Sequence, residues 1–378
     1  MDKKPCGIYV HIPFCKQKCR YCDFLSAPGD SKCIREYVSV LKKEIGSYRK
    51  KASEYEVKTL YFGGGTPSVL EPEQISDVVE TLKETFDLGG LEEFTIEVNP
   101  GTVTREKLLG YRKTGADRLS VGIQSADDDE LRLLGRIHSF EEAKECFSMA
   151  RETGFENISA DVISALPKQT IENYSRTLDS IIALKPEHIS SYSLIIEPGT
   201  PFYKEYGEEG PKKNDLPDED TDRKMYALTK EKLLKAGYHR YEISNYSLPG
   251  RESKHNSSYW TGREYFGLGL GASSFVSGVR YSNVRVLEEY AKDPTKRIIE
   301  EETDQKSLMA EFMILGLRMT AGVSKKEFKR RFGVDFEDVY GEITEKLIKE
   351  KVITEEGDNL RLTDYGLDVS NAVFAEYI

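Results

Sequence analysis

Cys15, Cys19 and Cys22 are gathered in the run CKQKCRYC, whereas Cys6, Cys33 and Cys146 are scattered along the chain. A C-x3-C-x2-C spacing lets three thiolates meet at one soft metal centre, which suits zinc or an iron–sulfur cluster. A 4Fe–4S cube held by three cysteines keeps one iron without a protein ligand. An open coordination position of that kind separates a reactive metal site from a structural one. A structural zinc would need a fourth ligand, and His11 could complete a Cys3His set. His11 lies inside the apolar run GIYVHIPF, more in keeping with a strand residue. The spacing therefore favours the cluster and leaves zinc open.

Further candidates recur where apolar runs end. GGGTPS, Gly63 to Ser68, follows VKTLYF, and its glycines let backbone groups approach an amino-acid-like amine or carboxylate closely. Glu97 ends EFTIEV, Gln124 ends RLSVGI, and Asp161 lies in NISADVI. Ligands gather at the carboxyl ends of the strands in parallel α/β folds, which is where these residues and the cysteine loop would fall.

The elements that must position them alternate. The strand-like runs above, with HISSYSLI, are separated by helical stretches such as IREYVSVLKKEIGSY, EQISDVVETLKETF, REKLLGYRK, FEEAKECFSMARE and IENYSRTLDSIIAL. Gly115 and Gly154 are placed to cap helices. About six β–α units predict an α/β fold: an open, partial (β/α)6 barrel over residues 1–210. Residues 211–303 form a connecting region that completes the core and carries the run KHNSSYW. EEGPKKNDLPDEDTD, near its start, is expected to be a surface loop before the helix KMYALTKEKLLKAG. Residues 304–378 predict a smaller, mainly helical, winged-helix-like domain, with NLRLTDYG as a hairpin wing and a packing or partner role rather than DNA binding.

Composition narrows the class. At 378 residues, one large domain plus a smaller one is the natural expectation. No apolar run approaches the roughly 20 residues that span a bilayer, and the start MDKKPCGIYVHIPF is expected to be a strand rather than a signal peptide. Transient contact with a membrane or membrane protein stays open. Six cysteines in such a chain point to reduced thiols and a cytoplasmic protein. A net charge of −11 disfavours a nucleic-acid partner.

With Tyr21 before the last cysteine and GGTP after the second strand, the chain resembles the radical S-adenosylmethionine superfamily. Within it, YVHIPFCKQKCRYCDF, YFGGGTPS, EVNP, RLSVGIQS and ALPKQT resemble the oxygen-independent coproporphyrinogen III oxidase group. The resemblance implies that Cys15, Cys19 and Cys22 bind a 4Fe–4S cluster and that S-adenosylmethionine chelates its fourth iron. It further implies that Gly64, Gly65 and Thr66 hold the methionyl part, with Tyr9, Tyr21 and Glu97 lining the same pocket. Gln124, Arg136 and Asp161 match positions that bind a second S-adenosylmethionine in the oxidase.

Two departures from the oxidase pattern matter. Phe24 stands where that pattern has a further cysteine, and the chain reaches Tyr9 without a longer N-terminal extension. Both are similar to the haem-chaperone branch of the family, as is KHNSSYW, which fits an H-N-x-x-Y-W motif. The resemblance implies haem binding by His255, Tyr259 and Trp260, the single tryptophan, with Cys33 or another histidine as alternative iron ligands. It implies a haem carrier that delivers to an acceptor haem protein, a respiratory one being the leading candidate. The alternative is oxidative decarboxylation of coproporphyrinogen III.

Overall fold

The protein is described by a computed structural model over residues 3–378. Six strands run parallel in sequence order: β1 (Lys4–Ile12), β2 (Tyr55–Gly64), β3 (Glu93–Val98), β4 (Arg118–Gln124), β5 (Ile158–Ser164) and β6 (His188–Ser193). The strands alternate, with irregularities opposite Cys6–Gly7 and at Gly122–Gln124. Cys6, Ile8, Val10 and Ile12 on β1, Leu60 and Phe62 on β2, and Leu119, Val121 and Ile123 on β4 join one apolar core. That core is completed by α1 (Ser31–Ser47), α2 (Pro72–Thr85), α3 (Arg105–Thr114), α4 (Phe140–Glu152) and α5 (Ile171–Ala183). The intervening positions face the concave side. In paired register they read Gly7–Thr59–Glu93, Tyr9–Tyr61–Thr95–Arg118, and Glu97–Ser120–Ser159–His188. A filled barrel would carry branched apolar residues there. This one carries polar and aromatic side chains, which marks the concave face as the working surface.

The caps are local and chemical. Pro72 sits at the first turn of α2 inside a Glu71/Gln74 capping box, and Ser139 with Glu142 makes a second box at α4. Gly115 follows α3 at φ 103° and Gly154 follows α4 at φ 90°, conformations that glycine adopts without a Cβ clash. The helix expected at KMYALTKEKLLKAG begins earlier, as α6 (Glu219–Lys235), inside the stretch expected to be loop. Asp218 caps it through Thr221 N–H, and Glu219, Asp220 and Asp222 suit the positive end of its dipole.

The sheet stays open. β7 (Asn245–Ser247) pairs antiparallel with β6 at one side, and His239–Arg240 adds the edge. On the other side β8 (Tyr265–Leu268) pairs parallel with β1, followed by β9 (Ser273–Val276), β10 (Val279–Asn283) and β11 (Arg297–Glu302). Glu44 of α1 ties this extension down. Fully buried, it accepts from Gly269 N–H at 2.8 Å, from Asn283 Nδ2 at 2.8 Å and from Tyr290 O–H, and it pairs with Arg297 at 3.2 Å. Removing one partner of a buried, bonded ion pair strands the other, so Glu44→Ala is expected to cost about 3–5 kcal/mol, read as a lowered urea midpoint.

A second apolar cluster forms from α8 (Gln305–Gly316), α9 (Lys325–Phe332), α10 (Phe336–Lys349) and a three-stranded sheet, around Met313, Leu317, Phe328, Tyr340 and Leu360. Of the expected wing NLRLTDYG, only Asn359–Leu362 is strand. Thr363 caps a short helix over the rest. Among the described residues no helix is long and apolar enough to cross a membrane.

Candidate functional site

The cysteine loop is closed at its base, where Phe14–Cys15 pairs with Ala27–Pro28. It is held from outside by Arg20 N–H on Leu134 O at 3.0 Å and Phe202 N–H on Arg20 O at 3.0 Å. All three thiols are half-buried. Thr66 Oγ1 lies 3.4 Å from Cys15 Sγ and Arg136 Nη1 lies 3.5 Å from Cys19 Sγ, two donors aimed at sulfur. Burial pushes the Cys22 thiol up to about 11 in the absence of a metal ion.

His11 is not placed as a fourth ligand for zinc. Among the described residues no three His, Cys, Asp or Glu side chains gather around one ion. Both nitrogens of His11 are engaged, Nδ1 with Tyr9 O–H at 3.0 Å and Nε2 with Leu25 O at 2.9 Å. A cube would bond each thiolate at a different corner, so three sulfurs on one loop need not converge on a point to hold it. Cys6 and Cys146 lie in the apolar core with thiols pushed up to about 12 by burial, and Cys33 sits at the start of α1.

Beside the loop, the glycine run is committed to its conformation. A Cβ on Gly65 would meet Phe14 O at 2.6 Å, and Gly64 has φ +110° with the His11 ring 2.5 Å from where a Cβ would stand. Gly64 N–H binds Glu97 Oε2 at 3.1 Å, Gly65 N–H binds Ile12 O at 2.8 Å, and Thr66 N–H binds Phe14 O at 2.8 Å. The amides are spent inside the fold. The carbonyls of Thr66, Pro67 and Ser68 are engaged too, by Val69 N–H, Leu70 N–H and Lys107 Nζ, so an acceptor for a ligand amine on this run would be a glycine carbonyl.

Glu97 also accepts from Tyr61 O–H at 2.8 Å, and burial raises its carboxyl to about 7. Tyr9 stacks on Tyr61 with centroids 6.2 Å apart, and Tyr21 packs edge-on against Phe202. Arg136 binds Asn99 Oδ1 at 3.0 Å and Gly122 O as well as facing Cys19. Gln124 sits at φ +77°, a strained conformation for a side-chain-bearing residue of the kind that clusters at ligand sites. Asp161 accepts from Ser120 Oγ at 3.0 Å, and burial raises its carboxyl too. Sequence reasoning missed Tyr61, Glu93 and Arg118. Their signal is parity: each shares the inward-facing set with a residue already singled out.

KHNSSYW is a helix, α7 (Lys254–Trp260), capped by Ser253 and anchored by Glu93, which accepts the N–H groups of Lys254 at 2.9 Å and His255 at 3.0 Å. His255 is 1% exposed. Its Nδ1 meets Thr59 Oγ1 at 2.9 Å, its Nε2 meets Tyr259 O–H at 2.9 Å, and its ring stacks on Tyr61 at 4.9 Å. Burial, aided by Arg118, lowers its pKa to about 3. Trp260 points elsewhere. Arg318 lies over its ring at 4.3 Å, its Nε1 has no partner, and it lines a cavity of about 310 Å³ with Phe275, Phe312, Leu315, Met319 and Phe332. The structure therefore separates the three residues expected to meet at haem.

A concave parallel sheet with a three-cysteine loop at its mouth defines a radical S-adenosylmethionine protein, and the sequence pattern of the Radical SAM superfamily matches residues 9–181. The pattern of the HemN C-terminal domain matches residues 303–369. Heme chaperone HemW of Lactococcus lactis subsp. lactis is 38% identical over 100% of this chain and 98% of that protein. Heme chaperone HemW of Bacillus subtilis is 36% identical over 98% of each. The structure of coproporphyrinogen III oxidase (HemN) from Escherichia coli superposes with a TM-score of 0.86 at 22% identity, covering 99% of this chain and 90% of that one, a likeness of fold. The chain belongs to the HemW family of haem chaperones.

Proposed function

We propose that this protein binds haem and passes it to an acceptor haem protein, on a scaffold whose resident groups are a 4Fe–4S cluster and S-adenosylmethionine. Cys15, Cys19 and Cys22 would hold the cluster. Tyr9, Tyr21, Gly64, Gly65, Thr66 and Glu97 would line the S-adenosylmethionine pocket, with Gln124, Arg136 and Asp161 along the adjoining wall. When bound, the reduced cluster supplies an electron that can break a C–S bond of the sulfonium. This chain's residues orient the ligand amine through carbonyl oxygens and keep water out with the Tyr9–Tyr61 stack. Six unpaired thiols support a cytoplasmic setting, and a respiratory haem protein is the proposed acceptor.

The observation that carries haem binding is the cavity beside Trp260. It offers an aromatic wall for a flat macrocycle, an unpartnered N–H, and the Met319 thioether as a soft group for iron. Exposed Phe24 in place of a further cysteine supports the carrier over the oxidase. Trp260→Ala is expected to weaken haem binding about tenfold, the equivalent of some 1.4 kcal/mol, in an anaerobic Soret titration. His255→Ala should leave it. Loss of the Soret band on replacing His255, with the Trp260 variant unaffected, would instead make the histidine the iron ligand and require α7 to turn outward. Formation of protoporphyrinogen from coproporphyrinogen III would sink the carrier proposal.

A further inference from the structure

His255 has a fixed place and no free nitrogen, yet its ring lies flat against the tyrosine that grips the S-adenosylmethionine pocket. The contacts form a chain. The ring stacks on Tyr61 at 4.9 Å and an interplanar angle of 23°. Tyr61 O–H donates to Glu97 Oε1 at 2.8 Å, and Glu97 Oε2 holds Gly64 N–H at 3.1 Å. There is no slack along it. A Cβ on Gly63 would come within 2.9 Å of the Tyr61 ring, 3.0 Å of Glu97 Oε1 and 3.0 Å of the Tyr9 ring. The far end is as firmly set, because Glu93 anchors the helix and Thr59 and Tyr259 fix the imidazole in its plane.

We propose that His255 is a positioning residue of the S-adenosylmethionine pocket, acting through Tyr61 and Glu97 to set the Gly64–Gly65 carbonyl cradle. The proposal rests on the assignment of that pocket above. The histidine-bearing face of α7 is then the floor of the cofactor site, and only the Trp260 face belongs to the haem cavity. An imidazole serves here because it combines a flat face for Tyr61 with an in-plane nitrogen for each of two hydroxyls. It works as the neutral ring, since a cation would face Arg118 and Arg263. Shortening the side chain opens space under Tyr61, and the phenol that orients Glu97 loses its support.

The test is equilibrium binding of S-adenosylmethionine to anaerobically reconstituted full-length protein, with iron and sulfide quantified in each variant. A second readout is the change that S-adenosylmethionine makes in the electron paramagnetic resonance of the reduced cluster. His255→Ala is expected to weaken binding about tenfold with cluster content and the haem Soret titration unchanged. His255→Phe, which keeps the flat face, should recover most of the affinity and guards against a variant that fails to fold. Tyr61→Phe should weaken binding too, and the double variant should be no weaker than the worse single one, since residues acting in series are not additive. Unchanged affinity in His255→Ala, or full additivity with Tyr61→Phe, would overturn the proposal. Wild-type protein that carries the cluster but binds no S-adenosylmethionine would remove the pocket itself, a distinct result.

Discussion

Cys19→Ser protein, purified and reconstituted without oxygen, is expected to lose the iron–sulfur chromophore and nearly all bound iron and sulfide. Serine preserves the size and hydrogen bonding of the side chain but is a poor ligand for iron that prefers soft thiolate. A cube with only three protein ligands has none to spare. Cys15→Ser and Cys22→Ser should do the same. Cys33→Ser should keep a full cluster, because Cys33 lies in the first turn of α1, its N–H donating to the Asp30 cap, outside the closed loop. A milder loss is expected for Arg136→Met, which removes the guanidinium that faces Cys19 Sγ at 3.5 Å and ties the loop to Asn99. Outer contacts of this kind typically change metal affinity about 10–100-fold. The assay is iron and sulfide per chain beside the visible spectrum. Retention of stoichiometric iron in Cys19→Ser would show that another residue completes the site.

What could be read from residues alone divides along a physical line. Strand alternation and helix caps are local, so the six parallel strands, Gly115 and Gly154 follow from spacing and backbone sterics. Residues at strand ends share one rim because parallel topology leaves them nowhere else to go. The hairpin after β9, where Ser277 and Gly278 turn at φ 54° and 77°, was passed over inside the connecting region. Burial of His255 was not legible, since its partner Thr59 is 196 residues away and its anchor Glu93 reaches it only through the sheet. Had KHNSSYW been taken as helical, its division would have followed. His255 and Tyr259 are one turn apart, whereas Trp260 lies about 140° around from His255 at about 100° per residue. The engagement of the Gly64, Gly65 and Thr66 amides inside the fold also needed coordinates, because it depends on where they point.

S-adenosylmethionine binding should strengthen as pH rises towards 7 and then level off, with Glu97 as the group responsible. Burial is the main cause that raises this carboxyl to about 7, with Asp161 adding repulsion, while Tyr61 and Gly64 N–H pull the other way. The folded protein therefore holds a proton on Glu97 in the range from about 4.5 to 7, where an unfolded chain would release it. That contribution to stability is complete below pH 4.5 and is lost as pH rises through 7. A cationic ligand reverses the balance, because it favours the carboxylate and must expel the proton below pH 7. The apparent Kd should then weaken by about tenfold for each pH unit below 7, with close to one proton released on binding near pH 6. The neighbouring ionisable groups do not share the window in the same sense. His255 sits near 3, His11 is lowered by burial, Arg118 stays charged, and Tyr9 and Tyr61 are held well above their ordinary range. Asp161 is raised as well, by burial, while the Ser120 and Ser159 hydroxyls that donate to it pull the other way. Glu97→Gln removes the titration while keeping an acceptor for Tyr61, so its binding should be weaker at pH 8 and flat across pH 5.5 to 8.5. Glu97→Ala leaves the Gly64 amide and Tyr61 hydroxyl without their partner and should lose about 100-fold in affinity, the worth of roughly 3 kcal/mol. Calorimetry at several pH values and in two buffers reads both the affinity and the proton count. A pH slope that survives in Glu97→Gln would transfer the titrating role to Asp161.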